Sequence, residues 1–149
     1  MSRVRDRDTA PELSLRRALH AAGLRYRLRV PLPGKPDIVF PRARVAVFVD
    51  GCYWHSCPIH ATQPKTRAEW WAAKLARNRE RDIQVNSLLA RAGWRVIRVW
   101  AHEVAGGKHG DLLGAVARIA SAIQEAHPNS SRAAVALQNS EKRAQSRVR

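Results

Sequence analysis

The feature that most constrains this 149-residue chain is an apolar run at residues 45–49, followed by a loop dense in reactive side chains. So short a run of branched apolar residues predicts a buried strand, and functional side chains collect on the loop after such a strand. Residues 50–60 contain one carboxylate, two thiols, two imidazoles and two large aromatic rings. Such groups can bind zinc, transfer protons and stack on bases. The segment therefore predicts a metal-braced enzyme site for nucleic acid.

The charge of the chain indicates its class of partner. There are 27 Lys and Arg against 12 Asp and Glu, a formal net charge of +15. Such an excess favours a polyanion, and binding through it would weaken as salt is added. Five Trp against two Phe and two Tyr enrich the chain in stacking side chains. Together these features favour nucleic acid over the alternative of a protein that is merely basic and soluble.

The length of the chain and its number of cysteines limit the possible architectures. A chain of this length is expected to be one domain with a real core. No segment approaches the roughly 18 apolar residues of a membrane-spanning helix, and the N-terminal residues form no secretory signal, so a cytoplasmic protein is expected. Two Cys in such a chain indicate metal binding or free thiols rather than disulfides. The polar stretch at residues 128–149 holds five basic residues and one acid. We expect it to be a disordered tail after a domain at residues 1–127 that carries +11.

Hydrophobic periodicity predicts a mixed α/β fold. Strands are expected at residues 26–30, 37–40, 44–50 and 94–100, and the second and third should form a hairpin around residues 41–43. Helices are expected from residue 9 to a stop at residue 23, at residues 66–92 and at residues 111–126. Capping boxes at residues 9–12 and 66–69 are predicted to open the first two helices.

Asp82 is out of place on the predicted inward face of the long helix. That face is formed by positions 71, 75, 78, 82, 85 and 89, whose spacing is that of a core-facing stripe. A carboxylate on such a face must find a polar partner or cost several kcal/mol in desolvation. Asp82 is therefore predicted to contact the site that follows Asp50.

Motifs spread along the chain carry a resemblance to a known family. They are Arg7-Asp8-Thr9 with Pro11-Glu12, Gly34-Lys35-Pro36-Asp37, residues 48–55 with Cys57-Pro58 and His60, Pro64-Lys65-Thr66, Asn78 with Arg81-Asp82, and Gly93-Trp94-Arg95-Val96 leading to Val99-Trp100. In order, and from about residue 3 to residue 104, they resemble the very-short-patch repair (Vsr) endonucleases. The resemblance implies a restriction-endonuclease-like fold of the PD-(D/E)XK type, a mixed central sheet flanked by helices, with a structural zinc site. It also implies Mg-dependent nicking of DNA on the 5′ side of the T in a T:G mismatch that arises from deamination of 5-methylcytosine.

The resemblance implies roles for four residues in the chemistry. Asp37 would anchor Mg²⁺, a hard ion that takes carboxylate ligands, and the main-chain carbonyl of Val49 would be a second ligand. His55 would act as general base on the attacking water, oriented by Asp82. From the residues alone, Asp37 is also readable as an ordinary turn aspartate, and His55 with Asp82 as a structural pair.

Two further acids are included among the catalytic residues. Glu12 resembles the N-terminal active-site acid of the family, although helix capping explains it as well. Asp50 stands where the best-known bacterial member has His. It could hydrogen-bond a histidine, contact the metal indirectly or simply end the strand, so it has no assigned role. Strand alternation places Asp50 on the face of Phe48, opposite Val49.

Three residues of the loop suit a structural zinc ion. Cys52, Cys57 and His60 lie at a compact spacing, and His102 falls where the family has a distant Cys, which completes a Cys₂His₂ set. Free buried cysteines with surface histidines are the alternative. Zinc would fix the loop and take no part in the chemistry.

The resemblance also implies DNA contacts. Tyr53, Trp54 and Trp71 match family aromatics that wedge into the duplex beside the mismatch, where unstacking costs least. Core packing is the alternative, above all for Trp71, and Trp70 and Trp94 are expected to pack. The residues expected to hold phosphates are Lys65, Arg67 and Arg81, with an ordinary solvated surface charge as the alternative for each.

The expected partner is double-stranded DNA with a mismatch, with mismatch-repair proteins as candidate partners of a monomer associated with a bacterial nucleoid. One rival function is a restriction or defence nuclease of the same fold with another DNA target. A second is a non-catalytic, zinc-braced DNA-binding module. Asp37, His55 and Asp82 together argue against that module, because binding alone does not need them.

Overall fold

The structure, a computed structural model, describes residues 7–52, 55, 57–59 and 65–127. This part of the chain is mixed α/β, as predicted. Its elements are α1 (Ala10–Ala21), β1 (Ile38–Phe40), β2 (Val45–Asp50), α2 (Ala68–Arg91), β3 (Arg95–Trp100), α3 (Ala101–Ala105) and α4 (Leu112–Ala126). None of the helices in these ranges combines the length and apolarity that crossing a lipid bilayer requires. The predicted tail at residues 128–149 lies outside the described residues.

The sheet of the described residues has the order β1-β2-β3. β1 runs antiparallel to β2, with Phe40 opposite Val45, which confirms the predicted hairpin. β2 runs parallel to β3, with Asp50 opposite Trp100. Because of these directions, the start of β1 and the ends of β2 and β3 meet at one edge of the sheet. This edge carries the candidate site.

The strand predicted at residues 26–30 is wrong. In the described part of the chain this segment contributes an isolated bridge between Arg27 and Val39 rather than a strand. Arg29 adopts a left-handed φ of 58°, which interrupts the extended conformation that a strand needs. The alternation of Tyr, Leu and Val with Arg therefore reflects partial packing, in which Tyr26 reaches the core edge-on against Phe40.

Helices cover both faces of the sheet. The larger core lies on the face of Val45 and Val47, against α1, α3 and α4. The smaller core lies on the other face, where Ala46 and Phe48 pack against Leu89 of α2. Alternation along β2 is therefore as predicted. The inward stripe of α2 is also confirmed, since all six of its positions are at least partly buried.

The helix starts are decided by local hydrogen bonds. Oγ1 of Thr9 accepts from the backbone N–H of Glu12 at 3.5 Å, which confirms the predicted cap of α1. The predicted capping box at residues 66–69 is wrong, because α2 is preceded by Arg67 in the left-handed region (φ 57°) with no side-chain cap. A capping Thr needs an extended backbone at the residue before the helix, and Arg67 occupies that position.

Candidate active site

Asp37 is fixed by the turn before β1 and by the end of β2. At Gly34, φ is +74°, and a Cβ atom there would lie 2.5 Å from Cγ1 of Val85 in α2, so only glycine lets the turn approach the helix this closely. The backbone N–H of Asp37 donates to the carbonyl of Val47 at 3.0 Å. The carboxylate of Asp37 in turn accepts the backbone N–H of Val49 at 2.7 Å. The predicted metal anchor and the backbone of Val49 are therefore in direct contact.

The surroundings of Asp37 are acidic. Burial is the main cause that raises its pKa to about 6; the N–H of Val49 opposes the rise, and the negative charges of Glu12 and Asp50 add to it. The charge of Arg16 lowers the same pKa. Two of the predicted catalytic acids thus repel the third, Asp37, and a cation beside Asp37 would relieve that repulsion.

Glu12 lies at the start of α1 and also near Asp37. Its carboxylate is buried, with 4% of the residue exposed, and accepts the backbone N–H of Asp8 at 3.0 Å beside the start of α1. It also accepts from Nη2 of Arg16 at 3.2 Å, while Nη1 of Arg16 pairs with Asp8 at 2.7 Å. The same carboxylate belongs to the start of the helix and lies close enough to raise the pKa of Asp37. Arg16 was not foreseen in the sequence.

Asp50 is buried at the end of β2, with 7% of the residue exposed. Nη1 of Arg98 donates to its two oxygens at 2.9 and 3.2 Å. Burial raises the pKa of Asp50, and the charges of His55 and Arg98 oppose that rise. The nearest approach of Asp50 to His55 is 3.9 Å, from Oδ1 to Nε2, which is too long for a hydrogen bond.

His55 and Asp82 form the pair that the sequence predicted. Nδ1 of His55 lies 2.6 Å from Oδ2 of Asp82, although the two residues belong to the loop after β2 and to α2. Because a carboxylate can only accept, Nδ1 carries the proton and Nε2 is left as the basic nitrogen of the neutral ring. Asp82 also lies 3.6 Å from Nη1 of Arg98, so the polar partner that its place on α2 requires is provided twice.

A second cluster at the same edge has a different donor set. The ligand atoms of Cys52, Cys57 and His102 all lie within 4.8 Å of one another. The two sulfur atoms are 3.3 and 3.5 Å from Nδ1 of His102, and both cysteines are free thiols. Parallel pairing of β2 with β3 brings these residues together across 50 positions of sequence, because both strands end at this edge.

Several predicted residues lie outside the described part of the chain. They are Tyr53, Trp54 and His60. The wedge formed by the first two and the zinc ligand at the third therefore stay predictions.

The basic and aromatic residues before and along α2 face solvent. Lys65, Arg67 and Arg81 are exposed, and Trp71 is partly buried. The expectation that Trp70 packs is wrong, because 46% of it is exposed and its ring lies edge-on to Trp71 at 4.8 Å between centroids. Trp70 is the neighbour of the inward position 71, and consecutive helix residues point in different directions.

Lys74 joins this surface, with its ammonium group 5.1 Å from the ring centroid of Trp70 and 5.6 Å from that of Trp71. Trp94, in contrast, packs in the smaller core as expected.

Arg98 was missed by the sequence reasoning, although it contacts two of the predicted catalytic acids. The available signal was its position between Ile97 and Val99, in an otherwise apolar stretch of the strand. A charged residue in a strand of this kind needs a buried partner, as Asp82 does in α2.

Carboxylates, an imidazole and a group of two thiols and an imidazole that could hold a metal ion lie at one edge of a mixed sheet in a chain of +15, and this combination points to an enzyme that acts on nucleic acid. Comparisons with known proteins agree. The sequence profile described as DNA mismatch endonuclease Vsr matches residues 1–62.

The similarity extends to individual relatives. The chain is 46% identical over 106 residues to the type II nicking enzyme V.XorIIP of Xanthomonas oryzae pv. oryzae, across 70% of this chain and 78% of that protein. It is 54% identical over 101 residues to the type II nicking enzyme V.NaeI of Lentzea aerocolonigenes, across 64% of this chain and 61% of the relative. For the DNA mismatch endonuclease Vsr of Escherichia coli K12 the identity is 40% over 102 residues, across 67% and 65%.

This chain belongs to the Vsr family, a family of DNA endonucleases. The resemblance read from the motifs is therefore confirmed. The alignments span less than two thirds of the length of V.NaeI and of the E. coli relative.

Proposed function

We propose that this protein nicks one strand of duplex DNA on the 5′ side of the T in a T:G mismatch, by Mg²⁺-dependent hydrolysis of a phosphodiester bond. The observation that carries the proposal is the meeting of the acidic group at Asp37 with the pair of His55 and Asp82 at one sheet edge. Hydrolysis of a phosphodiester needs a site for a hard cation and a base for water, and this edge offers both.

The acidic group fits Mg²⁺. Its donors are oxygen atoms, which Mg²⁺ prefers, and the mutual repulsion of Asp37, Glu12 and Asp50 would be relieved by a divalent charge. Asp37 and the carbonyl of Val49 would hold the ion. When bound, Mg²⁺ would polarise the scissile phosphate and stabilise the charge on the leaving oxygen.

The imidazole of His55 supplies the base. Its Nδ1–H is fixed on Asp82, so Nε2 accepts a proton from water while the water oxygen bonds to phosphorus. The bond between phosphorus and the leaving sugar oxygen breaks in the same reaction, and that oxygen ends as a hydroxyl after protonation. Asp82 keeps the ring in the required tautomer and stabilises the imidazolium that forms.

The sulfur and imidazole cluster fits a structural Zn²⁺ ion. Two thiols and one imidazole already lie within 4.8 Å of one another, and tetrahedral zinc sites take this mixture of ligands. Cys52, Cys57 and His102 would hold the ion, with His60 as the proposed fourth ligand. Zinc would then connect the loop that carries His55 to the end of β3.

The protein is proposed to bind DNA through its basic and aromatic side chains. Tyr53, Trp54 and Trp71 are proposed to insert beside the mismatch, where unstacking costs least. Exposed basic residues before and along α2 are proposed to bind phosphates. The names of the relatives, a mismatch endonuclease and nicking enzymes, support cleavage of one strand.

The wider setting is part of the same proposal. We assign residues 1–127 to one nuclease domain of restriction-endonuclease-like fold, which agrees with the mixed sheet and its flanking helices. The protein is proposed to act as a cytoplasmic monomer on nucleoid DNA, with mismatch-repair proteins as candidate partners.

A strand-specific cleavage assay tests the proposal. Labelled duplexes with a T:G mismatch and fully paired duplexes are incubated with the zinc-loaded protein, with and without Mg²⁺. The expected result is a nick in the T-bearing strand of the mismatched duplex that requires Mg²⁺. Equal cutting of both duplexes would favour the restriction or defence nuclease. Tight binding without cutting would favour the non-catalytic module.

A further inference from the structure

Four side chains at the site edge form a ring in which two carboxylates alternate with an imidazole and a guanidinium group. His55 contacts Asp82 at 2.6 Å, and Asp82 lies 3.6 Å from Nη1 of Arg98. The same Nη1 donates to both oxygens of Asp50, and Oδ1 of Asp50 lies 3.9 Å from Nε2 of His55. Each carboxylate therefore stands between the imidazole and the guanidinium group.

Arg98 is held in this ring from three sides. It is the register partner of Phe48 in the parallel pair of β2 and β3, and its guanidinium carbon lies 4.3 Å from the centroid of that ring. Its Nε donates to Oδ1 of Asn86 in α2 at 2.9 Å. Only 20% of the side chain is exposed. Because these contacts use its stacking face and two of its nitrogens, Arg98 is built into the protein rather than directed at a phosphate.

Removal of Arg98 would change what Asp50 contacts. Asp50 is buried and cannot turn to solvent, and an unpaired buried carboxylate must find another donor. Nε2 of His55 is 3.9 Å away, so after a shift of about 1 Å an Nε2 that has taken up a proton from solvent would donate a charge-assisted hydrogen bond to Asp50. That bond would hold a proton on Nε2, the nitrogen that must be unprotonated to accept one from water in the proposed hydrolysis.

We propose that Arg98 is a positioning residue of the nuclease: it binds Asp50 and Asp82 so that Asp50 does not capture Nε2 of His55. This inference rests on the proposed function and assigns a role to Asp50, which anchors Arg98. The role is specific to the chemical step, since DNA binding does not require Nε2 of His55.

The test compares single-turnover cleavage of the T:G duplex by the wild type and by Arg98→Gln. The variant is expected to cleave about 100-fold more slowly, the range that loss of a general base produces. The protein concentration at half-saturation should change less than about threefold, because binding of the ground state is left intact. Arg95→Gln is the matched control on the same strand, since Arg95 lies at the start of β3, away from the site edge, and pairs with the exposed Glu125. It should keep the wild-type rate.

A second variant separates positioning from mere structure. In Asp50→Asn/Arg98→Gln no carboxylate is left to capture His55, so cleavage should be about tenfold faster than in Arg98→Gln alone, as expected for residues that are energetically coupled. The double variant also keeps the inference testable if Arg98→Gln does not fold, because it removes the unpaired buried charge. In that case its rate should lie within about tenfold of the wild type.

Three results would overturn the inference. The first is an Arg98→Gln cleavage rate equal to the wild-type rate. The second is a change only in the protein concentration at half-saturation, which would make Arg98 a DNA contact. The third is a double variant that cleaves as slowly as Arg98→Gln. Failure of the proposed function looks different. In that case neither the wild type nor Arg95→Gln would cleave any duplex with Mg²⁺, and the inference would fall with it.

Discussion

Two groups of side chains lie at the same sheet edge but have opposite physical character. The acidic group consists of the hard oxygen donors Asp37, Glu12 and Asp50. Burial raises the pKa of Asp37, and the charges of Glu12 and Asp50 add to the rise. The soft group consists of Cys52, Cys57 and His102, whose ligand atoms are already gathered within 4.8 Å. The first group costs the metal-free fold free energy, whereas the second would stabilise the fold through the zinc ion proposed for it.

The comparison shows how one edge can serve both chemistry and architecture. A catalytic cation must be exchangeable and reachable by a phosphate, so few of its ligands come from the protein. A structural ion is enclosed by ligands that bind it tightly, and its binding energy contributes to folding. Replacing residues in one group should therefore change activity, while replacing residues in the other should change stability. The following predictions test this division.

The largest effect is expected for Asp37→Asn. Loss of the charged anchor should lower Mg²⁺-dependent cleavage by about 10³-fold or more, because the leaving oxygen loses its stabilisation. Single-turnover assays on the T:G duplex measure it. Glu125→Gln removes an exposed carboxylate on α4 and serves as control, with an unchanged rate expected. A comparable loss of cleavage in the control, or no loss in Asp37→Asn, would show that Asp37 has no specific role in the reaction.

Next in size is the effect of Cys57→Ser on stability. The serine hydroxyl is a poor zinc ligand, so the variant should lose its bound zinc and about 4 kcal/mol of unfolding free energy or more. Elemental analysis and urea unfolding measure the two quantities. A chelator should destabilise the wild type far more than the variant. If the variant kept about one zinc ion per chain, the soft group would not be the binding site.

Asp37→Asn is expected to have a smaller effect on stability than Cys57→Ser, and in the stabilising direction, when the protein is free of Mg²⁺. The pKa of Asp37 is raised from 3.8 to about 6. Its favourable contribution to the free energy of unfolding is therefore fully present below pH 3.8 and is lost as pH rises through about 6. Asparagine carries no charge and can still accept the N–H of Val49. Asp37→Asn should therefore become more stable than the wild type as pH rises from about 4 to about 7.5, by at most about 3 kcal/mol.

Urea unfolding of both proteins over this pH range measures how the difference in their stability changes with pH. The buffer lacks Mg²⁺ but contains no chelator, because a chelator would also remove zinc from the soft group. A difference between the two proteins that stays constant with pH, or that falls as pH rises, would contradict the raised pKa of Asp37.

The smallest effect is expected for Trp70→Ala, outside both groups. The exposed indole lies beside Lys74 and Arg67, an arrangement suited to stacking on a base near a phosphate. Its removal should weaken binding of the T:G duplex about fivefold, equivalent to about 1 kcal/mol. Fluorescence anisotropy at one fixed salt concentration measures this. Leu113→Ala, at a residue 83% exposed on α4, is the control, and equal weakening by both would exclude a specific contact.

The sequence predicted local features well where one periodicity dominated. The hairpin, the inward stripe of α2 and the cap at Thr9 are confirmed because each depends on neighbours within a few residues. The strand at residues 26–30 and the second capping box are wrong because Arg29 and Arg67 adopt left-handed backbone conformations. Neither departure shows in an apolar pattern, since the pattern records side-chain burial and not backbone dihedral angles.

Asp82 shows how far the sequence reaches into the site. A carboxylate on an apolar stripe predicted a polar partner, and the structure provides His55 and Arg98. The same physical rule applies to Arg98, but its partner Asp50 lies 48 residues earlier, and no local pattern connects them.

The amino-acid sequence by itself determined the chemical inventory of this protein: the acids, the imidazoles, the thiols, the basic surplus and the strand that precedes them. Tertiary structure alone decided the pairing. Parallel register between β2 and β3 sets Phe48 beside Arg98 and Asp50 beside Trp100, and α2 crosses above with Asp82. The physical reason is that helical and strand periodicity acts over a few residues, whereas ion pairs in a folded site follow from which strands become neighbours.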